Sequence, residues 1–250
     1  MVVSEREEAA NRVDMIDTPQ NDAAVLTQWQ VPDADPDQNR DWLFPGVDEY
    51  FRGIYTRAGL GYASETLAVC SSISGEGKTT VSVGLAVTLA LDFPESRVLL
   101  VETDLTKPVL AADFDVEETP GLVDCVHAGE PIQLAYRPTF LDNLHVVPVG
   151  GPLVGAGRIL RSVRLASAID AMRTTHDIVI LDVPPVLVNS DSILLTDLAD
   201  CVICVIRSGV TPLELVNKAI SQLDAEKLRG VVINGSESAV PRWIRNMWAQ

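Results

Sequence analysis

The chain has 250 residues, 47% hydrophobic and 5% aromatic, which is enough for one domain with a sizeable core plus additional segments. A formal net charge of −16 repels phosphate backbones and argues against general nucleic-acid binding. No apolar run reaches the roughly 18 residues of a membrane-spanning helix, and Glu5-Arg6-Glu7-Glu8 stands where a secretion signal would be basic and then apolar, so the expected compartment is cytoplasmic.

Residues 1–46 combine acids, Asn, Gln and Pro around a few hydrophobes, with the cluster Val31-Pro32-Asp33-Ala34-Asp35-Pro36-Asp37 and no sustained periodicity. This is the composition of an acidic, disordered or loosely docked leader. Residues 47–235 then alternate between helical and strand patterns. A lead-in helix is expected over Asp48 to Gly61, with Phe51 and Tyr55 at i and i+4 on one apolar face. Strands are expected near Leu67, Val98, Leu144, Ile178, Val202 and Val231, with a helix after each but the last. That alternation predicts an α/β domain, a mostly parallel β-sheet flanked by helices on both faces.

The first strand run, Thr66-Leu67-Ala68-Val69, leads into Ser71-Ser72-Ile73-Ser74-Gly75-Glu76-Gly77-Lys78-Thr79-Thr80, and an apolar helical pattern follows from Val81 to Leu91. Strand, glycine-rich loop and helix form the setting of a phosphate-binding loop. Gly75 and Gly77 let the backbone curl so that successive N–H groups point at phosphate oxygens, and the following helix adds its positive end. Ser74, Gly75, Glu76, Gly77, Lys78, Thr79 and Thr80 are the expected nucleotide contacts, with Lys78 on the β/γ-phosphates and the Thr79 hydroxyl on Mg²⁺. A glycine-rich turn that binds nothing is the blander alternative, and the flanking elements argue against it. Ser72 stands where the general pattern has Gly.

The second strand run, Val98-Leu99-Leu100-Val101, ends in Glu102-Thr103-Asp104, and Ile178-Val179-Ile180-Leu181 ends in Asp182, followed by Val183-Pro184-Pro185. Ligands of open parallel sheets bind beyond the carboxyl ends of the strands, so all three acids are expected beside Lys78. Acids there hold Mg²⁺ directly or through water, and one accepts a proton. Each alone reads equally as a helix cap or a solvated strand end; three together after a phosphate loop favour function. Cys201 and Cys204 lie three apart in a strand run and point to opposite faces. The four cysteines therefore read as core residues of a reducing compartment, and His127, His145 and His176 as scattered, with no metal cluster beyond the nucleotide's cation.

These motifs, together with Thr119-Pro120-Gly121-Leu122-Val123-Asp124 and Gly230-Val231-Val232-Ile233-Asn234, resemble in order and spacing the bacterial tyrosine kinases of capsule and exopolysaccharide assembly. The resemblance runs from about Asp48 to Asn234. It implies a P-loop NTPase of the deviant Walker type, a branch shared with division-site and chromosome-partitioning ATPases. The partitioning ATPases carry a signature Lys at the position that Ile73 occupies here, which favours the kinase side. The resemblance further implies ATP and Mg²⁺ as cofactors, Lys78, Asp104 and Asp182 as catalytic groups, and Thr79, Glu102 and Asp182 around the metal. Asn234 resembles the adenine-recognising position, its amide offering a donor and an acceptor together, with Arg207 a weaker base contact. The implied partner is a membrane-bound polysaccharide co-polymerase, or chain-length regulator, that recruits the protein to the inner face of the membrane. A homo-oligomeric ring is implied by Glu49 and Arg52, although Tyr55 replaces the motif's second Arg.

Three departures stand out. Glu102 replaces the family's Asp, adding a methylene and roughly 1.5 Å of reach; Thr106 replaces an Arg, with Lys107 one position on; and residues 236–250 contain no tyrosine where the family carries its phosphoacceptors. They favour an alternative, a kinase-deficient ATP-dependent assembly switch for the co-polymerase. A division-site-type positioning ATPase is the third reading. In the tail, Trp243, Ile244, Met247 and Trp248 share one helical arc opposite Arg242, Arg245 and Asn246, a pattern for a membrane surface, a partner helix or the protein's own core.

Overall fold

In the computed structural model, which describes residues 48–61, 63–151 and 156–235, the apolar runs form strands of one sheet. They are β1 (Glu65–Ser71), β2 (Val98–Glu102), β3 (Arg137–Pro138), β4 (Leu144–Val147), β5 (Ile178–Asp182), β6 (Cys201–Arg207) and β7 (Leu228–Asn234). Their spatial order is β3-β4-β2-β5-β1-β6-β7, parallel throughout except for β3 against β4. β1 lies between β5 and β6, so both of its edges are paired, and helices cover its two faces. Ala68 and Cys70 pack on one face with Leu99, Val101, Val179 and Leu181, while Leu67 and Val69 pack on the other with Val98, Leu100, Ile178 and Ile180. Burial on both faces is why these runs are continuously apolar instead of alternating.

The helices are α1 (Asp48–Ala58), α2 (Lys78–Asp92), α3 (Leu110–Asp113), α4 (Leu122–Ala128), α5 (Val163–Thr175), α6 (Asp191–Asp197) and α7 (Leu213–Ile220). α1 and α2 cover one face of the sheet; α4 and α5 cover the other, through Leu122, Leu165, Ile169 and Met172. Phe51 and Tyr55 are both buried, as the i, i+4 spacing predicts. Phe51 lies so close to α2 that a Cβ at Gly84 would sit 2.0 Å from its ring, so α2 needs a glycine there. Arg52, the residue that the resemblance assigns to a ring contact, holds Asp92 at the end of α2 through Nε at 2.7 Å and Nη2 at 2.8 Å, and the Tyr55 hydroxyl donates to the same carboxylate. α1 ends at Ala58, short of the expected Gly61, because Gly59 turns left-handed at φ +71.

Two features differ from expectation. The two-residue antiparallel strand β3 has no period to read in the sequence, and its pairing with β4 forms only in the folded sheet. The histidines are not all scattered. His145, in β4, and His176, just before β5, meet with Nδ1 and Nε2 3.3 Å apart; the Thr175 hydroxyl lies 3.0 Å from His176 Nδ1, and the Tyr136 hydroxyl 3.0 Å from that of Thr175. They flank the start of β2, a neighbourhood set by strand order and not by sequence distance. Cys201 and Cys204 do face opposite sides of the sheet, and all four thiols are free. The leader, 1–46, and the tail, 236–250, lie outside the described residues, among which no helix is long and apolar enough to cross a membrane.

Candidate functional site

β1 delivers the chain into the loop at Ser71, and α2 takes it away at Lys78. Between them Ser74 and Gly75 are exposed at the crown, Glu76 is buried, and Gly77 adopts φ +91. A Cβ at Gly77 would lie 2.0 Å from Asn234 Nδ2, so both conformation and space require glycine. Lys78, Thr79 and Thr80 occupy the first turn of α2, whose leading amides lack carbonyl partners within the helix and face outward as anion donors. Ser72 is accommodated with its hydroxyl buried and without a hydrogen-bond partner, at a cost of about 1–3 kcal/mol.

The ends of β2 and β5 are neighbours, with Glu102 in register with Asp182. Lys78 Nζ lies 3.1 Å from Asp104 Oδ2 and 3.4 Å from Asp182 Oδ2. The Thr79 hydroxyl donates to Asp182 Oδ2 at 2.7 Å. Ser82, one turn further along α2, donates to Asp182 Oδ1 at 3.1 Å, and Thr103 latches the two strand ends by donating to the Asp182 carbonyl at 2.8 Å. Ser82 was missed in the sequence; its only signal is the i, i+4 step from Lys78 and i, i+3 step from Thr79. Thr106 grips Asp104 Oδ1 through its hydroxyl at 2.5 Å and its N–H at 3.1 Å, a use for the residue that replaces the family's Arg.

Burial pushes Asp182 above the usual carboxylate range, against the pull of Lys78, Thr79 and Ser82. Burial also acts on Asp104, but its bonds with Thr106 and the charge of Lys78 outweigh it and hold the carboxyl below that range. With both carboxylates ionised, one ammonium and two carboxylates leave this buried cluster with a net negative charge, which a cation would balance. Its donors are hard oxygens of the kind Mg²⁺ prefers. Among the described residues no group of three or more His, Cys, Asp or Glu is arranged to hold a metal, so a magnesium ion would take its other ligands from phosphate and water. The residues present fit a nucleotide with its magnesium: Thr79 and Asp182 would hold the ion, and the cradle around Gly77 would take the phosphates.

Glu102, expected near the metal and in register with Asp182, has a carboxylate that accepts from Val109 N–H at 2.5 Å and Leu110 N–H at 3.1 Å through Oε1, and from Val149 N–H at 3.4 Å through Oε2. The extra methylene lets it reach past the cluster to the start of α3 and the end of β4. Burial raises its pKa, opposed by these amides. Asn234 Nδ2 donates to the Glu76 carbonyl at 2.9 Å, and Arg207 Nη1 to the Gly75 carbonyl at 3.4 Å, so both expected base contacts border the phosphate loop. Lys107 is exposed and stands apart from the cluster.

A parallel sheet with a phosphate loop after β1 and acids at the ends of β2 and β5 defines a P-loop nucleotide-binding domain. Comparison with known proteins agrees: residues 64–229 match the AAA domain family. The chain is 30% identical over 194 residues to the tyrosine-protein kinase YwqD of Bacillus subtilis, covering 76% of this chain and 81% of that protein. It is also 30% identical over 171 residues to EpsB of Ralstonia nicotianae, covering 68% of this chain but 22% of that longer protein. Among solved structures, the kinase domain of Escherichia coli tyrosine kinase ETK superposes with a TM-score of 0.72, covering 86% of this chain and 91% of that one; at 19% identity the likeness speaks for the fold alone. The chain belongs to the bacterial tyrosine-protein kinase family of P-loop ATPases.

Proposed function

We propose that the protein binds ATP with Mg²⁺ at the Ser74–Thr80 loop and transfers the γ-phosphoryl group to a tyrosine hydroxyl of a partner protein. The observation that carries this reading is the buried cluster of Lys78, Thr79, Asp104 and Asp182 at the mouth of the loop, polar, pre-organised and one positive charge short. Lys78 lies within reach of both acids and would shift onto the β- and γ-phosphates, stabilising charge on the transferring group. A bound Mg²⁺ would neutralise further phosphate charge. Asp104, held ionised, accepts the tyrosyl proton as the new P–O bond forms and the bond to the β-phosphate oxygen breaks, releasing ADP. Thr79 and Ser82 orient Asp182, and Arg207 and Asn234, which contact the phosphate loop, would border the base.

A tyrosine of another protein is the proposed acceptor, residues 236–250 containing none. A membrane-bound polysaccharide co-polymerase is the proposed partner, through which the protein would reach the inner face of the membrane. A second reading, an ATP-hydrolysing assembly switch, is favoured by one observation: Glu102 is committed to backbone amides, leaving fewer carboxylates for the metal. Incubation of the full chain with γ-labelled ATP and Mg²⁺, with and without a tyrosine-bearing partner segment, separates them. Label on protein tyrosine supports the kinase; free phosphate alone supports the switch; neither product removes both.

A further inference from the structure

Glu76 is the acidic side chain of the phosphate loop, in a place where a carboxylate turned toward phosphate would repel it. It is turned inward and is 1% exposed. One carboxylate oxygen accepts from Ile73 N–H at 2.7 Å, closing the loop on itself, and the other accepts from the Thr211 hydroxyl. Thr211 sits between β6 and α7, outside the sequence motifs. Its hydroxyl oxygen also accepts from Arg207 N–H at 3.2 Å, and its own N–H donates to the Arg207 carbonyl at 3.0 Å. The Glu76 carbonyl accepts from Asn234, while Ser208 N–H donates to the Asn234 carbonyl at 2.8 Å. The ends of β6 and β7, which carry Arg207 and Asn234, are thereby tied to the phosphate loop at Glu76 through both its side chain and its main chain.

We infer that Glu76 and Thr211 form a positioning pair that sets the spacing between the phosphate cradle and the base-side edge, and so governs how much the purine adds to nucleotide affinity. The inference rests on the nucleotide-binding reading of the site. A hydrogen bond to a carboxylate is stronger than a neutral one, so this tie is stiff. It also decides which way the Asn234 amide faces. The Glu76 carbonyl can only accept, so it takes the amide nitrogen and leaves Oδ1, with the second N–H, for the base. An acceptor beside a donor matches the 6-amino and N7 edge of adenine and opposes the two acceptors of guanine. Neither contact was legible in the sequence, because Thr211 lies 135 residues from Glu76 and Asn234 lies 158.

The test measures equilibrium affinity of the full chain for MgATP, MgGTP and magnesium tripolyphosphate, which has the phosphates and no base. Thr211→Val keeps the side-chain volume and removes the hydroxyl. It is expected to weaken MgATP by about tenfold, to change tripolyphosphate by less than about twofold, and to narrow the preference for ATP over GTP. Thr211→Ser restores the hydroxyl and is expected to return wild-type affinities. Thr211 is only half-buried, so both of its substitutions are expected to fold. Equal weakening of ATP and tripolyphosphate, or no weakening of either, overturns the inference while leaving the nucleotide site intact. Absence of MgATP and tripolyphosphate binding by the wild-type chain overturns the nucleotide reading itself, and the inference with it.

Discussion

Two polar clusters sit at opposite ends of the same sheet. At the carboxyl ends of β2 and β5, Lys78, Asp104 and Asp182 form a charged group whose signs do not cancel. Beside the amino ends of β2 and β5, His145, His176, Thr175 and Tyr136 form a chain of neutral partners linked through their polar atoms. Burial drives both histidines toward the neutral form, His176 down to about 4. A buried group that closes its own hydrogen bonds needs nothing from outside, whereas one left with an excess charge is completed by a ligand. The first cluster is thus the candidate site, and the second reads as structure despite containing the residue type most often found in catalysis.

The largest effect should come from Lys78→Met. It removes the phosphate contact, and ATP affinity is expected to fall about 100-fold. It also leaves Asp104 and Asp182 facing each other, lowering stability by about 3 kcal/mol, a loss that added Mg²⁺ partly reverses in a thermal melt. Wild-type affinity and an unchanged, Mg²⁺-insensitive Tm would mean that the charge imbalance has no ligand to meet. Asp104→Asn keeps shape but removes the proton acceptor. It should bind ATP and lose turnover by about 100-fold or more, and a rate within about twofold of wild type would move that role to another group.

The neutral cluster predicts a pH effect without a catalytic one. The folded-state pKa of His176 lies below the ordinary 6.5, so as pH falls the unfolded chain takes up a proton that the folded chain refuses. Its stabilising contribution is complete above about pH 6.5 and is lost progressively toward pH 4, amounting at most to about 3 kcal/mol. Urea unfolding between those limits should show a shallower pH slope for His176→Phe than for wild type. Equal slopes would show that other groups carry the acid sensitivity.

The smallest effect concerns Glu102→Asp. Shortening the side chain by roughly 1.5 Å draws the carboxylate away from the Val109 and Leu110 amides. Stability should drop by about 2 kcal/mol, roughly 6 °C in Tm for a domain of this size, with no gain in turnover. Increased turnover would return Glu102 to the charged cluster as a metal neighbour.

Much of this arrangement was legible before folding. The continuously apolar runs marked strands buried on both faces, and the rule that ligands bind beyond strand carboxyl ends gathered Lys78, Asp104 and Asp182 from three separate segments. Phe51 and Tyr55 announced the buried face of α1 at helical spacing, and Cys201 and Cys204 their opposite faces at strand spacing. All of these follow from periodicity within a few residues or from a general property of parallel sheets, which one sequence carries in full. The direction in which a long side chain turns does not. Glu102 has two possible neighbourhoods, the cation cluster and the amides beyond it, and only the packing of α3 and β4 around it selects the second. The same holds for the tie from Thr211 to Glu76, the support that Ser82 gives Asp182, and the meeting of His145 with His176. Each depends on the register and order of strands remote in the chain, so the sequence determined which elements form and which ends carry charge, while the tertiary structure decided which polar atoms are left for a ligand.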